Sequence, residues 1–223
     1  MVLAATSSCL VYPDSDERID DDLIITTYAP KAEFDSYKTF HINPTVSLFD
    51  TKADGSIEQS PVDSETGDKI IDRLASKLEA RGYERVDAPE GADLGLTVTA
   101  ISGLVVGSVS YWGGYYGYYW GYPGWGYYYP YDVYYAYEPG SMIIDMVDLK
   151  RATEEYPRPP AGSTDMPDAD DGDDNNPGPG GLAVVWAMSA YRAYVDETTS
   201  GKLNQIYDAI DQAFVQSPYL KAE

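Results

Sequence analysis

Histidine and cysteine, which serve much of the proton-transfer and nucleophilic chemistry near neutral pH, are scarce in this chain. It holds one histidine, His41, and one cysteine, Cys9. With one of each, a His/Cys zinc site cannot be assembled. A Ser-His-Asp triad would have to recruit His41, yet no G-x-S-x-G nucleophile turn is present. His41 follows Phe40 in an alternating segment and reads as a structural residue. Gly124-Trp125-Gly126 is not a phosphate loop, because no Lys-Ser/Thr follows it. Asp145 and Asp148 lie in a β-like run, where Asp145 shares a face with Ile143 and Val147. A paired-carboxylate site needs two carboxyls facing each other across a cleft; nothing in the spacing sets that up, and the two read as strand-edge charges. Asp165 to Asn176 carries six carboxylates and no base. Calcium takes oxygen ligands of this kind, but with Gly172 at the sixth EF-hand position the first and third fall on Pro167 and Ala169. The expectation is a solvated acidic loop, with weak Ca²⁺ binding through Asp168, Asp170, Asp171, Asp173 and Asp174 as the one metal chemistry on offer. No other cofactor and no enzymatic activity are expected.

Contact chemistry is concentrated instead. Residues 111–137 hold 13 of the 22 tyrosines, three of the four tryptophans and a single charge, Asp132. Tyr and Trp offer large contact area at small entropic cost, with a polar tip. Tyr111, Trp112, Tyr115, Tyr116, Tyr118, Tyr119, Trp120, Tyr122, Trp125, Tyr127, Tyr128 and Tyr129 are therefore the candidate interaction residues, with a protein, an envelope polymer or glycan, or a second copy of the chain as partner. The plain alternative is a hairpin that packs its rings on its own domain. Self-association is a further option, since 127–137 is aromatic, almost uncharged and broken only by Pro130.

The rest of the chain has to position that segment. At 223 residues and 43% hydrophobic content it suffices for one globular domain. A net charge of −22, with scattered bases, argues against nucleic acid and against docking on anionic lipid. Before the first charge, Asp14, runs a short apolar stretch in which small residues, Ala4 to Ser8, lead to Cys9. This is similar to the lipobox of bacterial lipoproteins, although Thr6 and Ser8 stand where Leu and Gly or Ala are usual. Cys9 is the expected lipidation site and the membrane link, residues 12–22 an acidic tether, and the front of the export signal is expected upstream of Met1.

Periodicity then outlines an α+β domain over 23–219. Leu23 to Tyr28 and Phe34 to Ile42 read as strands, and 45–59 as a polar loop. A helix starts near Ser60-Pro61 with Val62, Thr66, Ile70, Leu74 and Leu78 on one face and Gly82 as its stop. Residues 93–106, 142–149 and 182–195 read as strands able to pair antiparallel, the first with one buried face. Residues 152–181 form an acidic Pro/Gly-rich loop. A last helix starts at Thr199 or Ser200, with Leu203, Ile206, Ile210 and Phe214 on its stripe. The expected fold is a mostly antiparallel sheet of about five strands, two amphipathic helices on one face, and the aromatic segment as a hairpin-like insert projecting from one end.

An ordered set of motifs runs through these elements: Phe34-x-x-Tyr37-Lys38-Thr39-Phe40, Arg81-Gly82-Tyr83, Ala92 to Val98, Gly140 to Asp148, Val185-Trp186, and Ile210 with Phe214-x-x-x-Pro218. Together they resemble the bacterial lipoprotein family known as domain of unknown function 4136, over about residues 24–219. The resemblance implies an exported, lipid-anchored envelope protein, periplasmic or at the outer membrane or cell surface. It carries over no catalytic residue. It also implies that a Gly/aromatic insert before the Gly-x-x-x-Ile-Asp strand is a recurrent feature.

Overall fold

The computed structural model describes residues 23–52, 54, 56–102, 117, 119–122, 125–130, 140–155, 181–191, 193 and 200–222, with the side chains of 153–155 and 200–202 left out. The strands are β1 (Ile24–Tyr28), β2 (Thr39–Ile42), β3 (Ser47–Thr51), β4 (Ile57–Pro61), β5 (Glu84–Arg85), β6 (Leu94–Ile101), β7 (Gly126–Tyr128), β8 (Ser141–Asp148) and β9 (Gly181–Ala190). The helices are α1 (Ser64–Glu79), α2 (Leu149–Glu155) and α3 (Ser200–Gln216).

The fold is α+β, but its nine strands have mixed orientation, which corrects the expected five-stranded antiparallel sheet. The main path runs β1-β9-β8-β6-β2-β5. The β6/β8 and β8/β9 pairs are antiparallel, as is β1/β9. β2 and β3, however, both run parallel to β6, along Leu94–Leu96 and then Thr99–Ile101. The reason is topological: α1 lies between them and β6, and a helical crossover returns the chain to the same end of the sheet. β5 is parallel to β2, and β7 to the start of β9.

Three local expectations are corrected as well. Phe34 to Ile42 is a 3-10 turn, Phe34–Ser36, followed by β2 rather than one strand. Phe34, Tyr37 and Phe40 are all buried, a spacing of three that suits a turn. Residues 45–59 contain the β3/β4 hairpin, which buries Ser47 and Phe49. The cap of α1 is Asp63, whose carboxylate accepts from the amide of Thr66 at 2.9 Å, while Ser60 and Pro61 belong to β4.

Helices α1 and α3 cover one face of the sheet. Ile70, Leu74 and Leu78 of α1 and Ile206, Ile210 and Phe214 of α3 pack on Leu94, Leu96, Val98, Met142, Ile144, Met146, Trp186 and Met188. The helices are tied to each other through Asp211, which accepts from Arg73 Nε at 2.9 Å and from Lys77 Nζ at 2.8 Å, with Arg73 Nη2 closing a bidentate pair. Burial pushes the Asp211 carboxyl up, but the two cations outweigh it and hold the group below its usual range.

Candidate functional site

Every residue of β6 and of β8 is buried, on both faces of the sheet. The face away from α1 and α3 presents His41 of β2, Gly95 and Thr97 of β6, Asp145 and Val147 of β8, and Leu182, Val184 and Ala187 of β9. Residues of the aromatic insert lie across it. Trp120, Tyr122, Trp125 and Tyr127 are at most 3% exposed and form one cluster with Val147, Leu149, Leu182, Val184 and Ala187. Within the insert, Gly117 O accepts from Tyr122 N at 2.8 Å and Tyr122 O from Trp125 N at 3.1 Å. The chain folds so tightly there that a Cβ on Gly117 would sit 2.0 Å from Trp125 O. On the sheet side, a Cβ on Gly95 would meet Trp120 Cη2 at 2.9 Å and Leu149 Cδ1 at 3.0 Å, so the bare backbone of Gly95 is the seat for the indole.

Three tyrosines of the insert each set their hydroxyl on one polar side chain of the sheet. Tyr119 Oη lies 2.7 Å from His41 Nε2, and His41 Nδ1 lies 2.8 Å from Val86 O. A carbonyl only accepts, so Nδ1 carries the proton and Nε2 accepts from the phenol. Tyr127 Oη reaches Thr97 Oγ1 at 3.5 Å and accepts from Trp120 Nε1 at 2.6 Å. Tyr129 Oη donates to Asp145 Oδ1 at 3.0 Å. Asp145 is buried, and burial raises its carboxyl to about 7, against a smaller opposing pull from the Tyr129 hydrogen bond. It is therefore half-protonated near neutrality.

Asp148 belongs to a different place. Residues 145 and 148 differ by an odd number along one strand, so their side chains leave opposite faces. Asp148 accepts from Tyr37 Oη at 2.6 Å and, as the cap of α2, from the amide of Arg151 at 2.8 Å. Burial raises its carboxyl, opposed by these donors and by the Arg151 charge. The two carboxyls thus do not form a pair. Among the described residues no group of three His, Cys, Asp or Glu side chains comes together. Chemically, the seam is a set of hydrogen bonds that hold aromatic rings on a sheet, around one carboxyl that titrates near neutral pH.

Of the candidate contact residues, Trp120, Tyr122, Trp125 and Tyr127 are buried in this seam, so they act as packing in the described structure. Tyr119 and Tyr129 are half-buried at its margin, and Tyr128 is half-buried next to Tyr127 in β7. Tyr111, Trp112, Tyr115, Tyr116, Tyr118, Cys9 and the acidic set Asp168, Asp170, Asp171, Asp173 and Asp174 lie outside the described residues. Sequence reading missed His41, Thr97 and Gly95 as the seats of the insert. The available signal was the lack of charge: no Lys, Arg, Asp or Glu occurs within Leu94–Ile101 or Gly181–Ala190, and a strand without charge on either face belongs between two layers.

A family profile described as a domain of unknown function, DUF4136, matches residues 24–219. The chain belongs to the DUF4136 family. A crystal structure of a DUF4136 family protein from Bacteroides thetaiotaomicron is similar at 28% identity and a TM-score of 0.60, covering 92% of this chain and 100% of that one. Two structures of the PelC dodecamer from Paraburkholderia phytofirmans, one of them a leucine-to-methionine variant, are more distant. They have 12% and 13% identity and TM-scores of 0.40 and 0.39, with 91% of this chain and all of each of those covered. Among curated proteins none matches.

The residues that carry the DUF4136 resemblance tie this fold together. Arg81 caps the end of α3, donating from Nη2 to Phe214 O at 2.7 Å and from Nη1 to Ser217 O at 3.2 Å and Leu220 O at 3.1 Å. Trp186 Nε1 donates to Ser217 Oγ at 2.9 Å. Tyr83 donates to Phe34 O at 3.1 Å, and Asp93 Oδ2 accepts from the amides of Lys38, at 2.6 Å, and Thr39, at 3.3 Å.

Proposed function

We propose that this DUF4136 protein is a non-enzymatic, exported envelope module, anchored by a lipid on Cys9, that holds a protein partner or an envelope polymer on the margin of its aromatic insert. The observation that carries this reading is the way the insert is seated. Trp120, Tyr122, Trp125 and Tyr127 are buried against the sheet, while Tyr119 and Tyr129 stay half-buried at the edge of the same cluster and Tyr128 is half-buried next to Tyr127 in β7. Rings held by a rigid base lose little entropy on contact, and Tyr combines apolar area with a hydrogen-bonding tip. The run of small residues before Cys9 supports the anchor, and the tether of 12–22 would hold the domain off the membrane.

The test keeps the buried rings and changes only the others. Replacing the half-buried Tyr119, Tyr128 and Tyr129 by Ser should leave a cooperative unfolding transition and abolish cross-linking to envelope components. Unchanged cross-linking in a folded variant would sink the proposal. For the anchor, an alkyne fatty acid should label the protein in bacterial cells and fail to label Cys9→Ser. Equal labelling of both would remove lipidation at Cys9 from the picture.

A further inference from the structure

The sheet has an edge away from β7, the described strand of the insert. Among the described residues β1 ends the strand path and pairs only with β9. Leu23 O accepts from Tyr191 N at 3.0 Å, and Ala29 N donates to Val185 O at 2.9 Å. In an antiparallel pair the bonded positions alternate, so the odd positions from Leu23 to Ala29 bond β9. Ile24, Thr26 and Tyr28 then turn their backbone groups outward. The side chains along this edge are apolar and open: Leu23 is 57% exposed, Ile25 41% and Tyr28 46%. No charge occurs from Leu23 to Pro30. The edges at β4 and β5 are blunted by the means proteins use against pairing: β4 carries Glu58 and ends in Pro61, and β5 is Glu84-Arg85 alone.

We propose that β1 is the docking site for a second copy of this chain, joined edge to edge in antiparallel register. A two-fold axis through Thr26 sets Ile24 of each copy opposite Tyr28 of the other and lets the two Thr26 backbones bond each other, using all three outward positions. The charges flanking β1 select this direction. Asp20, Asp21 and Asp22 precede the strand and Lys31 follows it, so an antiparallel pair brings the acidic side of one copy toward the lysine of the other. A parallel pair would align acid with acid. Glu33, the next charge, is paired with Arg151 at 3.4 Å. One device opposes the contact: Gln216 of α3 donates from Nε2 to Ile24 O at 3.2 Å and accepts from Thr26 Oγ1 at 3.2 Å. It covers one of the outward carbonyls and has to swing aside when a second strand arrives.

Sedimentation equilibrium of the full, unlipidated chain at physiological salt tests this. The expected result is a reversible monomer–dimer equilibrium. Thr26→Pro removes an outward N–H while sparing the odd-position bonds to β9, and Ile25→Lys places a charge on the edge; each should weaken dimerisation about tenfold or more, roughly 1.4 kcal/mol. Gln216→Ala should strengthen it. Thermal transitions monitored by circular dichroism establish that the variants are folded, and Ile25→Lys carries the test if Thr26→Pro does not fold. A chain that stays monomeric at every concentration overturns the proposal. So does a dimer that survives Ile25→Lys, or one lost on Tyr128→Ser with β1 intact; the last result would move self-contact to the aromatic insert and leave β1 without a role in it.

Discussion

Gly95 and Asp145 are the two single residues on which the second face of the sheet depends. The indole of Trp120 rests on Gly95 so closely that one methyl group has no room. Gly95→Ala should lower stability by about 1–3 kcal/mol, the usual cost of forcing a rigid neighbour aside, read as a lower denaturant midpoint. Trp120→Phe in the Gly95→Ala background should recover part of that loss, because the atoms in conflict belong to the far ring. Asp145 gives a pH signature. Its carboxyl stands at about 7 in the fold against 3.8 when exposed, because burial penalises the charged form. The folded state therefore holds a proton that the unfolded chain releases between those values. Stability is fully present below about 4, declines as pH rises through 7, and is flat above. Asp145→Asn keeps an acceptor for Tyr129 and removes the titration. It should flatten the slope between pH 4 and 7 and stabilise the protein by about 2–4 kcal/mol above pH 7. An unchanged slope in chemical denaturation would show that the carboxyl titrates elsewhere. The face on which Asp145 lies was legible from alternation with Ile143 and Val147; its partner, Tyr129, was not, because a hydrogen bond from a loop leaves no periodic trace.

Among the elements, regular patterns were readable and long-range pairings were not. The stripes of α1 and α3 follow from helical spacing, and both helices lie where amphipathicity puts them. Their mutual clamp through Asp211 requires both helices in place. Asp211→Ala should cost about 1 kcal/mol, the modest value for a partly exposed cluster, visible as a small fall in thermal midpoint with an unchanged fold. β3 and β4 escaped notice because Asp50, Thr51, Glu58, Gln59 and Ser60 give that stretch the polarity of a loop, while the buried side is marked by Ser47 and Phe49. β6 was misjudged for a different reason. Thr97 and Thr99 look like the wet side of a strand, yet each is buried. Threonine is β-branched and polar, so it serves equally well facing water or facing another hydroxyl, and only the lack of charge throughout β6 and β9 separates the two cases.

As a whole molecule, the protein is a three-layer arrangement: α1 and α3, the sheet, and a lid of aromatic rings. The acidity is spread over the tether, the long loop and the rest of the domain, with 14 of the 37 acidic residues in 12–22 and 152–181, while β6 and β9 carry none. The aromatic segment was conspicuous in the sequence as composition, but its role as a layer depends on where the chain lies in space. The expected arm projecting from the sheet is, in its described part, the cover of the second face. The described rings of the segment are thereby part of the domain's own packing. The direct measurement is equilibrium unfolding, followed by circular dichroism, of a chain in which residues 111–137 are replaced by a short Gly/Ser linker. Uncovering Val147, Leu182, Val184 and Ala187 removes several buried side chains' worth of apolar contact, each about 1.5–3 kcal/mol, against a total stability of about 5–15 kcal/mol. Loss of the cooperative transition is expected if the rings are the third layer. A replaced chain that unfolds cooperatively at the original midpoint would show that they are not.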